Sequence, residues 1–228
     1  VKNKKNERGV TMKIYAVNGS PRKNKNTATL LQKALDGVRE SAKDKDVETE
    51  IINLYDLNYT GCKSCFACKR LGGKSYGKCA IKDDIYEVLE KVSQADGLIF
   101  GSPIYFGNIT AQLLGFLQRL LFPYLVYDGN YSTIPPKRMP TAFIYTMNVT
   151  ENRMEQVGYP KTFNHIEGPI ERIFTKPSVV FSNDTYQFDD YSKYESSAFS
   201  KEAKEEHRKT QFPLDCQNAF ELGVNLIK

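Results

Sequence analysis

Five short apolar runs, each followed by a stretch of helical periodicity, limit what this chain can fold into. Residues 13–18, 50–54, 97–101, 141–146 and 178–181 are β-branched or apolar without regular polar alternation, so each reads as a strand buried on both faces. Between them the period changes. Leu30, Leu31, Ala34, Leu35, Val38 and Ala42 share a helical face, and Asp84 opens a helix carrying Ile85, Val88, Leu89 and Val92. A third helix spans 111–122 and stops at Pro123. A short one spans 166–174, with Pro169 early in it. The last spans 212–227, with Ala219, Phe220, Leu222, Gly223 and Leu226 toward a core. Strands alternating with helices pair in parallel through right-handed crossovers. The expected fold is therefore α/β: a three-layer αβα sandwich around a five-stranded parallel sheet.

No repeat or linker divides this pattern. One domain is expected over residues 12–228, with a Cys-rich loop at 61–80 and a C-terminal excursion at 183–210, after a basic leader at 1–11. Residues 124–140 form a second long loop. The excursion, rich in Tyr, Ser, Lys and Glu, reads as a solvated segment with a short helix at 201–209 or as an arm for dimer contact. With 228 residues, 40% hydrophobic and 26% charged, the chain can bury a core without disulfides or metal. A wholly disordered chain, collagen and a small disulfide scaffold are excluded. No apolar run approaches the roughly 20 residues of a membrane span, and the polar leader lacks the apolar core of a secretory signal. A cytoplasmic protein without a membrane partner is expected. Lys2, Lys4, Lys5 and Arg8 against Glu7 supply +3 of the net +5. A basic leader on a nearly balanced domain does not point to nucleic acid. Codons for residues 7–10 can spell a purine-rich ribosome-binding sequence, so Met12 is the expected native start.

In open parallel sheets, ligands bind outside the carboxyl ends of the strands. After the first strand comes Asn18-Gly19-Ser20-Pro21-Arg22-Lys23-Asn24-Lys25-Asn26-Thr27, leading straight into a helix. Its hydroxyls, amides and cations beside a helix N-terminus suit a phosphate monoester, although Thr27 can also be an ordinary helix cap. Neither Gly-x4-Gly-Lys-Ser/Thr nor Gly-x-Gly-x-x-Gly is present. After the third strand, Pro103-Ile104-Tyr105-Phe106-Gly107-Asn108 offers two aromatics and a backbone edge suited to a planar heterocycle.

Four of the five cysteines form Cys62-x2-Cys65-x2-Cys68-x10-Cys79. Cys216, on the last helix, reads as a small buried apolar group. Such clustering without a signal peptide argues against a secreted disulfide framework. Four thiolates can hold a [4Fe–4S] cluster or a zinc ion, or stay as thiols or a labile disulfide. The first three have ferredoxin-like spacing, whereas a zinc ribbon more often uses two separated pairs. Gly72, Gly73 and Gly77 let the loop fold back on itself. Lys63, Lys69, Arg70, Lys74 and Lys78 read as a solvated face that would also offset a cluster's negative charge. Asp83 and Asp84 read as the start and cap of the next helix.

The two strand-end loops, Gly19-Ser20-Pro21-Arg22…Asn26-Thr27 and Pro103 to Asn108, resemble those of the flavodoxin-like NAD(P)H-dependent FMN reductases. The Cys62-x2-Cys65-x2-Cys68 segment narrows the resemblance to the branch that includes the iron–sulfur flavoproteins. The resemblance runs from about Lys13 to the final helix and implies a flavodoxin-like strand order, 2-1-3-4-5. It also implies FMN as cofactor, NAD(P)H as co-substrate and a homodimer or homotetramer. By that resemblance Ser20, Arg22, Asn26 and Thr27 hold the FMN phosphate. Pro103, Ile104, Tyr105, Phe106, Gly107 and Asn108 line the isoalloxazine, and Thr146, Met147 and Asn148 approach the ring from its other side. Cys62, Cys65, Cys68 and Cys79 would hold a [4Fe–4S] cluster. The chain departs from the pattern at Met147, Asn148 and Val149, where many relatives carry Gly. The implied activity passes hydride from NAD(P)H to FMN and on to a quinone, nitro compound, flavin or other small acceptor. The competing reading is an electron carrier between redox proteins. Hydride transfer through a flavin needs no protein nucleophile or general acid. The chain fits that economy, with only His165 and His207, both expected at the surface.

Overall fold

The computed structural model describes residues 11–43 and 45–228; the expected basic leader, apart from Thr11, lies outside the described residues. The elements in chain order are β1 (Met12–Asn18), α1 (Asn26–Ser41), β2 (Val47–Asn53), α2 (Tyr86–Ser93), β3 (Gly97–Tyr105), β4 (Asn108–Ile109) and α3 (Ala111–Leu121). They continue with β5 (Thr141–Thr146), α4 (Glu151–Gln156), α5 (Tyr159–Ile173), β6 (Ser178–Ser182), α6 (Lys201–Thr210) and α7 (Phe212–Leu226). The sheet order is β2-β1-β3-β5-β6, with every pair on that path parallel. This is the expected flavodoxin-like order, with β4 as an addition.

Alternate residues of a strand point to opposite faces, and here both faces are covered. Ile14, Ala16, Ile99, Ala142 and Ile144 pack under α1 and α7 with Leu30, Leu31, Leu35 and Leu222. Tyr15, Val17, Leu98, Phe100, Phe143 and Tyr145 pack under α2, α3 and α5 with Leu89, Phe116 and Ile170. The backbones of α1 and α7 nearly touch. A Cβ at Gly37 would lie 2.0 Å from the Phe220 oxygen, and one at Gly223 would lie 1.8 Å from the Ala34 oxygen. Among the described residues no helix is long and apolar enough to cross a membrane.

Besides a β2 that starts three residues early, four departures from the expected elements stand out. β3 runs beyond residue 101 to Tyr105, turns at Phe106 (φ 51°) and Gly107 (φ 80°), and returns as β4. Two central residues at positive φ make the tight hairpin whose twist matches its strands, so the expected loop is a hairpin. The helix expected at 166–174 begins at Tyr159 and runs through Pro169; Pro160 sits in its first turn, where no N–H is needed. The short helix α4 was not expected. It buries only Met154 and starts where the Thr150 side chain accepts from the Arg153 N–H. Finally, Asp84 does not cap α2, which starts without a side-chain cap. Its carboxylate instead accepts from the Asn58 N–H at 2.7 Å, and Asp83 turns inward to Arg119.

Candidate functional site

The carboxyl ends of β1, β3, β5 and β6 converge on a cavity of about 130 Å³. It is lined by Ser20, Arg22, Lys25, Asn26, Thr27, Pro103, Ile104, Tyr105, Thr146, Met147, Asn148, Thr185, Tyr186 and Gln187. The loop after β1 is wound by its own side chains. Asn18 Oδ1 accepts from the Ser20 N–H at 3.0 Å, and Ser20 Oγ accepts from the Arg22 N–H at 3.1 Å. Gly19 presses against β3 and α3, where a Cβ would lie 2.9 Å from Leu113 Cβ and 3.1 Å from the Gly101 oxygen. Thr27 is not the cap of α1: Lys25 holds that position, without a side-chain cap and with no acid in the first turn. The first-turn N–H groups therefore have no side-chain acceptor, and they favour an anion. Thr27 Oγ1 lies 2.7 Å from Thr146 Oγ1, both buried, which ties the β1 loop to the end of β5. Donor set, cradle and cations fit a phosphate monoester.

Pro103, Ile104 and Tyr105 border the cavity, whereas Phe106, Gly107 and Asn108 form the hairpin tip outside its lining. Phe106 is fully exposed. Met147 is buried and Asn148 half-buried at the other wall.

Sequence reading missed Thr185, Tyr186 and Gln187. The strand-end rule held the signal, since these residues follow β6, but they were read as part of the excursion. They close over the β1 loop. Arg22 Nη1 donates to the Gln187 carbonyl at 2.7 Å, and Asn26 Nδ2 donates to the Tyr186 carbonyl at 3.0 Å. Lys25 pairs with Asp189, and its hydrogen bond holds that carboxyl below the usual range. The aromatics of the excursion pack on one another, with Phe188 and Tyr194 stacked at 4.1 Å. His165 is exposed, as expected. His207 is not free at the surface: it is half-buried, and its Nε2 donates to the Asn183 carbonyl at 3.1 Å.

The cysteine loop builds a second site. Ser64 (φ 52°) and Phe66 (φ 55°) wind it tightly. The Gly77 N–H donates to the Cys68 carbonyl at 3.0 Å, folding the loop back. Cys62, Cys65, Cys68 and Cys79 all border one small cavity with Gln118 and Arg119. Burial pushes the Cys68 thiol up. The Arg119 side chain is fully buried and pairs with Asp83. It also donates to Cys79 Sγ at 3.3 Å and to the Thr60 and Ile81 carbonyls at 3.3 and 2.9 Å. Burial alone would lower its pKa, but the bonds to Asp83 and Cys79 raise it overall. Lys69 is not on a solvated face. Its ammonium donates to the Phe122, Pro123 and Leu125 carbonyls and lies 4.4 Å over the Phe122 ring. Among the described residues no three His, Cys, Asp or Glu side chains stand close enough to share one metal ion. Four thiol side chains are a donor set that a [4Fe–4S] cluster can take, and all four border this one small cavity.

A family model of the NADPH-dependent FMN reductases matches residues 12–146. An iron-sulfur flavoprotein of Methanocaldococcus jannaschii is 42% identical over 108 residues, covering 47% of this chain and 51% of that protein. One from Archaeoglobus fulgidus is 43% identical over 108 residues, covering 47% and 48%. The chain thus spans about half the length of the curated relatives it matches. Among solved structures, an NAD(P)H:quinone oxidoreductase from Methanothermobacter marburgensis aligns with TM-score 0.68 at 16% identity, over 96% of this chain and 98% of that one. An azoreductase from Bacillus anthracis aligns with TM-score 0.66 at 13% identity, over 94% and 99%. At such identities the structural likeness speaks to the fold.

Proposed function

The chain belongs to the NADPH-dependent FMN reductase family, and from that premise we propose that it binds FMN at the strand-end cavity and works as an NAD(P)H-dependent oxidoreductase. The observation that carries this reading is the single cavity uniting Ser20, Arg22, Asn26 and Thr27 with Pro103 to Tyr105 and with Thr146, Met147 and Asn148. Ser20, Asn26, Thr27 and the first-turn amides of α1 would hold the phosphate, with Arg22 adding charge. Pro103, Ile104 and Tyr105 would border the ring on one side, and Thr146, Met147 and Asn148 on the other. Phe106 presents an exposed ring beside Tyr105, next to where a second planar molecule would enter. Bound there, FMN supplies two-electron chemistry between NAD(P)H and a small acceptor such as a quinone, nitro compound or free flavin. Neither histidine lines the cavity, so this chain's part is to bind and orient. A cytoplasmic homodimer or homotetramer is part of the same proposal, and light scattering tests the oligomer.

FMN titrated into apoprotein should lose fluorescence as it binds, and NADH or NADPH should bleach the bound flavin anaerobically. A preparation that binds no FMN overturns the reading. Arg22→Ala is expected to weaken FMN binding about tenfold or more, the scale of one charged hydrogen bond, and to leave riboflavin binding unchanged. Equal losses for both would remove Arg22 from the phosphate site.

The four cysteines favour a second reading, an electron carrier. The relatives named iron-sulfur flavoproteins support it. A [4Fe–4S] cluster held by Cys62, Cys65, Cys68 and Cys79 would supply one-electron transfer. Iron and sulfide assays after anaerobic reconstitution test the cluster. Flavin that NAD(P)H reduces without steady-state turnover of quinones would favour the carrier.

A further inference from the structure

We infer that α6 is a strap that sets the geometry of the FMN site, with Lys204 and Arg208 as its positioning residues; the inference rests on the FMN reading above. α6 is highly polar, and Lys204 is its one buried residue, 3% exposed. A buried ammonium persists where it is paired and its protons are satisfied. Lys204 Nζ donates to the Asn148 carbonyl at 3.1 Å and to Asn148 Oδ1 at 2.7 Å, and it pairs with Asp184. Asn148 follows β5. Asp184 follows β6 in a left-handed conformation, φ 49°, and its N–H donates to the Val149 carbonyl at 2.9 Å. The one ammonium therefore fixes two loops of the cavity against each other.

One turn along the same face, Arg208 Nη1 donates to Asn26 Oδ1 at 2.7 Å. Asn26 in turn donates to the Tyr186 carbonyl. The Arg208 guanidinium lies 3.6 Å over the Phe212 ring, which anchors it to the start of α7. Lys204 thus reaches the ring-side wall through Asn148, and Arg208 reaches the phosphate loop through Asn26. Neither lines the cavity. Both act through residues that do. An apolar residue at 204 would seat α6 at a lower desolvation cost, so the buried charge is explained by its three acceptors on the site loops.

The two arms make separable effects. Lys204→Met should weaken FMN and riboflavin about equally, roughly tenfold, because Asn148 stands at the ring side. Arg208→Met should weaken FMN by a similar factor and riboflavin little, because Asn26 stands at the phosphate side. Lys204→Arg, which keeps the cation, should recover most of the loss. Without any flavin, chymotrypsin should cut the Tyr- and Phe-containing segment 186–199 faster in both Met variants than in the parent. Far-ultraviolet circular dichroism checks folding; if Lys204→Met does not fold, Arg208→Met and Lys204→Arg carry the test. Parent protein that binds FMN, with Met variants of parental affinity and proteolysis, overturns the strap and leaves the FMN reading standing. Parent protein that binds no FMN overturns both.

Discussion

Gly223→Ala is expected to lower the melting temperature by roughly 6–12 °C, although it adds a single methyl group. Its Cβ would stand 1.8 Å from the Ala34 oxygen and 2.7 Å from the Ala34 carbonyl carbon. Those atoms belong to the backbone of α1, so no side chain can rotate out of the way. The helices must part, and the layer of Leu30, Leu31, Leu35 and Leu222 beneath them loses contact. Overpacking typically costs about 1–3 kcal/mol, and a clash with backbone belongs at the upper end. At about 2–4 °C per kcal/mol for a chain this size, that gives the stated drop. Gly37→Ala meets the same crossing from the other helix, 2.0 Å from the Phe220 oxygen. The double variant should cost less than the sum, because one displacement relieves both clashes. Gly129→Ala, with nothing within 4 Å of its Cβ, is the control and should stay within about 0.5 kcal/mol. A Gly223→Ala melting curve matching the control's would sink the argument.

Arg119→Leu should cost about 3–5 kcal/mol in urea denaturation, the range for removing one partner of a buried ion pair. Its side chain is 0% exposed and that of Asp83 20%. The loss strips donors from Asp83, from Cys79 Sγ and from the Thr60 and Ile81 carbonyls together. Asp83 Oδ1 already has no hydrogen-bond partner, so the variant leaves that carboxylate bare. Arg119→Leu combined with Asp83→Leu should recover part of the loss, because no charge is then left unpaired. Arg119→Lys should fall between, keeping the charge but not the fork that reaches several acceptors. If the four cysteines hold a cluster as proposed, iron retained after reconstitution should fall in step, since the guanidinium donates to Cys79 Sγ. A parental urea midpoint for Arg119→Leu would show that the pair contributes nothing.

The sheet was legible because its strands are covered on both faces, so runs such as 141–146 carry no polar interruption. The site was legible as far as the strand-end rule was applied. It named Ser20, Arg22, Thr27 and Pro103, the family resemblance added Thr146, and the strand order brings their loops side by side. The rule was not carried to β6, and Thr185, Tyr186 and Gln187 were missed there. Other features have no local signature. Lys204 lies in a Lys- and Glu-rich helix, and Lys69 in a basic loop, where lysines read as solvated. Only the tertiary fold delivers the oxygens that hold them. The hairpin turn escaped notice because Phe106 is not a residue type that announces positive φ.

The crossing of α1 and α7 also sets an order in time. α1 follows β1 directly, while α7 is made only after every strand of the sheet. Until α7 emerges from the ribosome, the apolar face of α1 and one side of the sheet lack their cover, a non-local closure of the kind that slows folding and exposes a nascent chain to aggregation and chaperones. The cradle at the start of α1 is held in place by the same helix. On the FMN reading, a cofactor at that cradle would be retained only once α7 is in place, and a chain interrupted before α7 would leave the apolar face of α1 uncovered.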